Sequence, residues 1–213
     1  MESAIEATVE SLEQWYAGIT SKLPEHDHKF CSKQTFRRYA IARNGDFRAA
    51  LQNLLDTLTW RETNVPEILH CPVCDADPFM HCFFPIGLDV SNRLVIYSCA
   101  SRAKTNERDI TVRHMVHSLE HAWRFSDELG LHHQWVWIID FNGFGIKNAL
   151  EFSTSRATLS IFSKHMPERM GAALLINPPS VFGTLLRAVK QFADARTMSK
   201  VAIPKPTAIR SPL

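Results

Sequence analysis

The chain has 213 residues, 45% hydrophobic and 22% charged, which is enough apolar material for a full core and too much for a disordered segment. Its 24 Lys and Arg against 22 Asp and Glu leave a formal charge of +2, without the concentrated basic excess of a nucleic-acid binder. No run approaches the ~18 uninterrupted apolar residues of a membrane span, and five cysteines, an odd number, do not make a disulfide scaffold. Glu2, Glu6 and Glu10 stand where a secretory signal would carry basic and then apolar residues, so a reduced, soluble, cytoplasmic protein is expected.

In chain order, Ala4 to Tyr16 reads as a weakly amphipathic helix, and Pro24 ends whatever precedes it. Asp46 is a good N-cap, and Phe47, Ala50, Leu51, Leu54, Leu55 and Leu58 then form one stripe at helical period that Trp60 extends. The stretch 64–86 holds Pro66, Pro72, Pro78 and Pro85 with Cys71, Cys74 and Cys82, and reads as a linker between two subdomains. Leu94 to Tyr97 is a strand candidate. Val112, Val116, Leu119 and Trp123 mark a helix of roughly twenty residues, at the 3.6-residue period. Trp135 to Ile139 is apolar throughout, as in a strand covered on both faces. A helix over about Ile146 to Phe162, a strand at Ala173 to Ile176, a helix marked by Val181, Leu185, Val189 and Phe192, and a last strand at Val201 to Ile203 follow. This alternation implies an α/β fold: a helical subdomain over 1–63, then a mostly parallel sheet with helices over 87–203, and an irregular tail over 204–213.

The common nucleotide and hydrolase signatures are missing. Gly143 and Gly145 follow the strand ending at Asp140, but Asn148 stands where a dinucleotide fingerprint needs its third glycine. There is no phosphate-binding G-x-x-x-x-G-K-[ST] and no G-x-S-x-G, and nothing local nominates a nucleophile. His114, His117 and His121 have ligand-like spacing, yet at ~100° per residue they lie about 140–200° from the Val112–Trp123 stripe and read as a solvated face. Cys71-x-x-Cys74 followed by His81 and Cys82 is a better metal candidate. Two ligands two residues apart can share a zinc ion on a tight turn, and such a clip would order a stretch with little core of its own. His70 is an equally good ligand, and ordinary reduced cysteines are the alternative.

Several stretches together resemble the CRAL-TRIO lipid-binding family, in its phosphatidylinositol-transfer branch. They are Arg38 to Phe47 with Ala50-Leu51 and Trp60-Arg61, Asn92 to Tyr97, Val136 to Gly143, and His165 to Gly171. Leu175 to Pro179 with Phe182, and Phe192 to Lys200, complete the ordered series, which covers about Thr35 to Ile203. The resemblance implies an N-terminal helical subdomain and a sheet-floored apolar cavity, here lined by Ile96, Trp135, Trp137 and Ile139. It implies a polar headgroup site at Arg43, Glu168, Arg169, Asp194, Thr197 and Lys200, with no catalysis and no cofactor; a structural zinc is expected only from the cysteine spacing. Enclosure follows from the cost of moving a two-chain lipid through water, on the order of 25 kcal/mol for about 30 methylenes. The expected partners are phosphatidylinositol or another lipid and, transiently, a membrane surface, with no nucleic acid.

Departures from the family pattern shape the expectation. Trp135 and Trp137 replace small hydroxyl residues that serve choline lipids, and Ile96 replaces a tyrosine, so choline-lipid binding is expected to be weakened. Ile41 replaces the first arginine of the family's R-A-R element, and the family's C-terminal gate helix is expected to be missing. Two other readings stay open: a carrier of a tocopherol-, retinal- or sterol-like molecule, and a protein-interaction domain with a zinc-stabilised linker.

Overall fold

Two short polar side chains start the main N-terminal helices. In the computed structural model, which describes residues 1–65, 70–105, 107–145, 152–179 and 195–204, the Ser32 hydroxyl accepts the Thr35 N–H at 3.3 Å and opens helix α3 (Lys33–Ala42). Asp46 Oδ1 accepts the Ala49 N–H at 3.0 Å and opens α4 (Phe47–Asn64), the N-cap expected from sequence. Before them run α1 (Glu2–Ile19), a 3-10 turn at Thr20–Lys22, and α2 (Glu25–Phe30), with Pro24 as the N-cap of α2. The chain divides into two compact units, Met1–Leu69 with Ser160–Arg169, and His70–Leu159 with Met170–Leu213.

In the first unit α1 buries Ile5, Thr8, Val9 and Leu12, one face at helical spacing. The tight turn between α3 and α4 puts Asn44 at φ 53° and Gly45 at φ 79°. A Cβ on Gly45 would stand 2.9 Å from the Ala4 carbonyl carbon, and the Gly45 carbonyl accepts the Thr8 hydroxyl at 2.6 Å, so α1 crosses this turn at backbone contact. The buried face of α4 differs from the expected stripe. Ala50, Leu54 and Leu58 are inside as expected, but Leu55 is exposed, and Asn53, Thr57 and Arg61 are buried instead. Their polar atoms have work there: Asn53 Nδ2 donates to the Lys164 carbonyl at 2.8 Å, and the Thr57 hydroxyl reaches the Asn53 and Lys164 carbonyls and His165 Nδ1. The Lys164 carbonyl belongs to the last turn of helix α7 (Phe152–His165), where no N–H further along the helix is left to bond it.

The second unit is built on a five-stranded sheet in the order β1 (Phe83–Leu88), β2 (Arg93–Ser98), β3 (His132–Asp140), β4 (Met170–Ile176), β5 (Val201–Ala202). β1 pairs antiparallel with β2, and the other pairs are parallel, joined between β2 and β3 by α6 (Arg108–Glu128). The expected strands at 94–97, 135–139, 173–176 and 201–203 are thus present with small shifts of boundary. The stretch 64–86 holds more structure than its proline content suggested: a short helix α5 (Pro72–Ala76) and the first residues of β1. β1 escapes a sequence reading because Pro85 and Gly87 interrupt it and the register slips between them, which an edge strand tolerates. A short helix α8 (Ala195–Ser199) leads into β5. The expected helix through Val181 to Phe192, the start of the one from Ile146, and the tail beyond 204 lie outside the described residues. No helix among the described residues is long and apolar enough to cross a membrane.

Candidate functional site

Pairing register decides which strand side chains share a face. Leu94 pairs with Trp135, Ile96 with Trp137 and Ser98 with Ile139, and Trp137 and Ile139 pair in turn with Ala173 and Leu175. All four residues expected to line a cavity, Ile96, Trp135, Trp137 and Ile139, therefore lie on one face of the sheet. Ile96 and Trp135 are each 2% exposed, whereas Trp137 and Ile139 are half-buried. Trp137 Nε1 donates to the Ser98 hydroxyl at 2.8 Å, and its ring meets Phe83 edge-on at 5.6 Å between centroids.

The opposite face carries a polar knot that the sequence reading did not single out. Tyr97 donates its hydroxyl to Asp140 Oδ2 at 2.6 Å, while Asp140 Oδ1 accepts from Asn177 Nδ2 and from the Asn142 N–H, both at 2.8 Å. Burial raises the proton affinity of Asp140, but its hydrogen bonds, led by Tyr97 and Asn177, more than offset this and hold its carboxyl below the usual range. Burial first, and then the same carboxylate, push the Tyr97 hydroxyl up. The knot joins the carboxyl ends of β2, β3 and β4. An Asp after an apolar strand was the only sequence signal for it.

The expected headgroup residues fall in both units. In the first, Arg43 caps the end of α3, half-buried, with Nη1 donating to the Ala42 carbonyl at 3.2 Å. Glu168 is half-buried at φ 58°, in a turn closed by the Arg169 N–H on the Met166 carbonyl, and Arg169 is buried. Close to them Tyr39 is fully buried, its hydroxyl pushed up to about 12 by burial against the opposing charge of Arg38, a Thr57 hydrogen bond, and the charges of Arg61 and Arg169. Arg38, quoted above only as part of a motif, is buried too, and donates to the Pro167 carbonyl at 3.1 Å and the Thr35 hydroxyl at 2.8 Å. In the second unit Thr197 and Lys200 share one helical turn, the Lys200 N–H bonding the Thr197 carbonyl at 3.2 Å. The Lys200 carbonyl accepts the Ala173 N–H at 2.9 Å and so fixes that turn on β4. Asp194 lies outside the described residues.

The cysteine and histidine positions assemble differently from the expected set. Cys71, Cys74, His81 and His114 bring one ligand atom each to within 4.8 Å of one another. Cys82 is not in the group. Its carbonyl accepts the Cys99 N–H and so continues the β1–β2 ladder, and neighbouring side chains of extended backbone leave on opposite sides. His70 pairs with Asp75 at the surface, at 2.8 Å. His114 corrects the sequence reading, for it is buried and not solvated: α6 also buries Met115, Val116, Leu119, Glu120, Ala122 and Trp123, a face much wider than the stripe used to orient it. His117 is half-buried and His121 exposed. Burial first, and then the His114 charge, push His81 down to about 4. Burial likewise lowers His114, against a hydrogen bond to the Phe83 carbonyl, and raises the Cys74 thiol to about 11.

A family model for the CRAL/TRIO domain matches residues 79–211. A CRAL-TRIO domain-containing protein of Schizosaccharomyces pombe is 25% identical over 195 residues, covering 86% of this chain and 18% of its own. The phosphatidylinositol transfer protein PDR17 of Saccharomyces cerevisiae is 25% identical over 203 residues, covering 86% of this chain and 55% of its own. The SEC14 cytosolic factor of Kluyveromyces lactis is 40% identical over 67 residues, 31% of this chain and 22% of that protein. The chain thus spans from 18% to 55% of the length of these curated relatives. The crystal structure of Sfh5 superposes with a TM-score of 0.71 at 19% identity over 94% of this chain and 80% of that one, a likeness of fold.

Proposed function

The chain belongs to the CRAL/TRIO family, a family of lipid-binding proteins, and from that premise we propose that it binds phosphatidylinositol and carries or presents it at a membrane surface. The observation that carries the reading is the match over 79–211 on a sheet whose one face is apolar along β3 from Trp135 to Ile139 and half-open at Trp137 and Ile139. The acyl chains lie against that half-open part, beside the carboxyl ends of the parallel strands, where open α/β sheets take ligands. Removing them from water supplies the binding energy, and the polar residues choose the headgroup. Lys200 and Thr197 offer a cation and a hydroxyl to a phosphate or an inositol ring. Within the first unit, taken by itself, Glu168, Arg169 and Arg43 offer a carboxylate and two guanidiniums. PDR17, similar along most of this chain, is by its name a phosphatidylinositol transfer protein, which supports the choice of headgroup.

The test begins with extraction and mass spectrometry of lipid that co-purifies with the chain. Transfer of labelled phosphatidylinositol between vesicles is then measured for the wild type, Lys200→Ala and Glu168→Lys, which probe the second and the first unit separately. A loss of about tenfold or more in either variant, with the fold intact, is expected. Unchanged transfer in both removes the headgroup assignment. A second reading keeps the apolar face but changes the cargo to a bulky non-phosphorylated hydrophobe. Trp137 favours it, since an indole at the half-buried end of the strand stacks on a flat ring more readily than on two flexible chains. A bound ligand without phosphorus decides for this version.

A further inference from the structure

The stretch that opens the second unit, ahead of β1, has almost no core of its own. Helix α5 buries none of its residues, yet the side chains on either side of it, Cys71 and His81, are buried at 2% and 5% exposure. Something other than apolar contact has to hold them inside. We infer that Cys71, Cys74, His81 and His114 bind a zinc ion that clips α5 and the entry of β1 to helix α6.

The spacing of the donor atoms is close to what a tetrahedral site needs. Ligands at zinc distances of about 2.0–2.3 Å stand roughly 3.3–3.8 Å from one another. Here the four donor atoms already lie within 4.8 Å, and Cys74 Sγ is 3.3 Å from His114 Nδ1. Side-chain rotation suffices to close the rest. The pair Cys71 and Cys74 is set by the backbone, because the Cys71 carbonyl accepts the N–H of both Cys74 and Asp75, at 2.9 and 3.0 Å, with Pro72 in the first helical position. That turn directs two sulfurs to one side.

Each imidazole gives a separate reason. His81 is buried with neither ring nitrogen hydrogen-bonded by any described residue. A neutral ring left so loses its water partners for nothing, whereas a metal takes one nitrogen as a ligand. His114 is the converse: Nε2 donates to the Phe83 carbonyl at 2.9 Å, which fixes the tautomer and leaves the lone pair of Nδ1 aimed at Cys74. A ligand histidine whose second nitrogen is held by a carbonyl is the usual outer arrangement of a metal centre. The two rings stack at 4.1 Å between centroids, with their planes 18° apart, so both imidazoles face the same small space as the two sulfurs. Two thiolates and two imidazoles in a tetrahedron suit zinc above other common metals, and four protein ligands leave no position for a substrate, so the site is structural.

The full chain, purified without chelator, is assayed for bound metal by mass spectrometry, alongside Cys71→Ser, His81→Ala, His114→Gln, Cys82→Ser and His117→Ala. About one zinc per chain is expected in the wild type, Cys82→Ser and His117→Ala, with stoichiometric metal lost in the other three. Because a ligand variant that does not fold would also lose metal, the wild-type chain is stripped of zinc and titrated with cobalt(II) alone. One equivalent giving the ligand-field and thiolate charge-transfer bands of a tetrahedral sulfur–nitrogen site supports the proposal. A wild type without zinc and without those bands overturns it. So does a Cys71–Cys74 disulfide found in place of metal, and so does zinc that survives His114→Gln but not Cys82→Ser.

Discussion

Arg61 donates from Nε to Oδ1 of Asp27 at 2.9 Å, and each of the two side chains is 1% exposed. The guanidinium also lies over the Phe30 ring, 4.1 Å from its centroid. This one pair ties α2 to the end of α4, so it sits where the shortest helix of the first unit would otherwise rest on few apolar contacts. Removing one partner leaves a buried charge without its counter-ion, a loss of about 3–5 kcal/mol. Asp27→Ala is therefore expected to unfold the first unit at markedly lower urea concentration. The double replacement Asp27→Leu with Arg61→Met is expected to regain most of that stability, because two apolar side chains need no partner. A double variant as unstable as Asp27→Ala would mean that the pair's other hydrogen bonds matter more than its charge.

The α3–α4 turn makes a sharper steric prediction. Gly45→Ala places a methyl 2.9 Å from both the carbonyl carbon and the Cβ of Ala4 at a left-handed φ of 79°. Backbone strain and overpacking together are expected to cost about 1–4 kcal/mol. Adding Ala4→Gly removes only the side-chain part of the clash and is expected to restore a fraction, read from thermal melts of the single and double variants.

For the Asp140 knot the sign of the pH effect follows from the direction of its shift. The folded carboxyl titrates below its unfolded value, which is about 3.9, so its contribution is fully present above that value and is lost as pH falls through the folded one. Asp140→Asn keeps the shape but gives up charge-assisted bonds to Tyr97 and Asn177, an expected loss of about 1–3 kcal/mol at neutral pH. That loss is expected to shrink progressively as pH falls below about 3.9. Denaturant titrations of both proteins across pH 3–7 measure it, and a pH-independent difference would remove the carboxylate's charge from the explanation.

His165 behaves in the same direction for a different reason. Its ring is stacked on Trp60 at 4.4 Å, and burial, with the Lys164 charge adding and Asp56 opposing, pushes its pKa down to about 4. The unfolded imidazole takes a proton near pH 6.5 while the folded one does not, so this residue makes the chain less stable as pH falls from about 6.5 to 4. His165→Phe keeps the stack and removes the titration. Its stability profile is expected to be flatter over that window, and an unchanged slope would assign the pH dependence elsewhere.

The residues themselves show why some of this was legible. Helices α1 and α4 and the strands β2 to β5 follow from periodicity, the Asp46 cap and apolar runs, all local signals, whereas α2 and α3 gave no such signal of their own. Arg61 and Arg38 stood in the sequence only as letters of a family motif, since their partners Asp27 and Pro167 are 34 and 129 residues away. The cysteine–histidine cluster differs from the expected set at one position for a related reason. Cys71, Cys74 and His81 are near neighbours in sequence, but the fourth member of the cluster, His114, is brought in by α6 packing on β1, and a stripe of four apolar residues understated how much of α6 is buried. β1 was hidden by a proline and a glycine that only an edge strand accepts.

Trp135 and Trp137 are the last test, because they share a strand and a face but not an environment. Trp135 is 2% exposed and packed, whereas Trp137 is half-buried beside Phe83 and Ser98. Truncating the first to alanine opens a large cavity in a filled interior, at about 3–5 kcal/mol. Truncating the second removes less buried area and one hydrogen bond, so a loss of about 1–3 kcal/mol is expected. Ligand loading is expected to order them the other way. If the acyl chains lie against the half-open end of β3, Trp137→Ala changes the amount or kind of co-purified lipid while leaving a folded protein, and Trp135→Ala alters loading only as far as it unfolds the chain. Lipid extraction from both variants, normalised to the folded fraction by circular dichroism, separates the two. Equal lipid content and composition in wild type and Trp137→Ala would move the ligand off this face of the sheet.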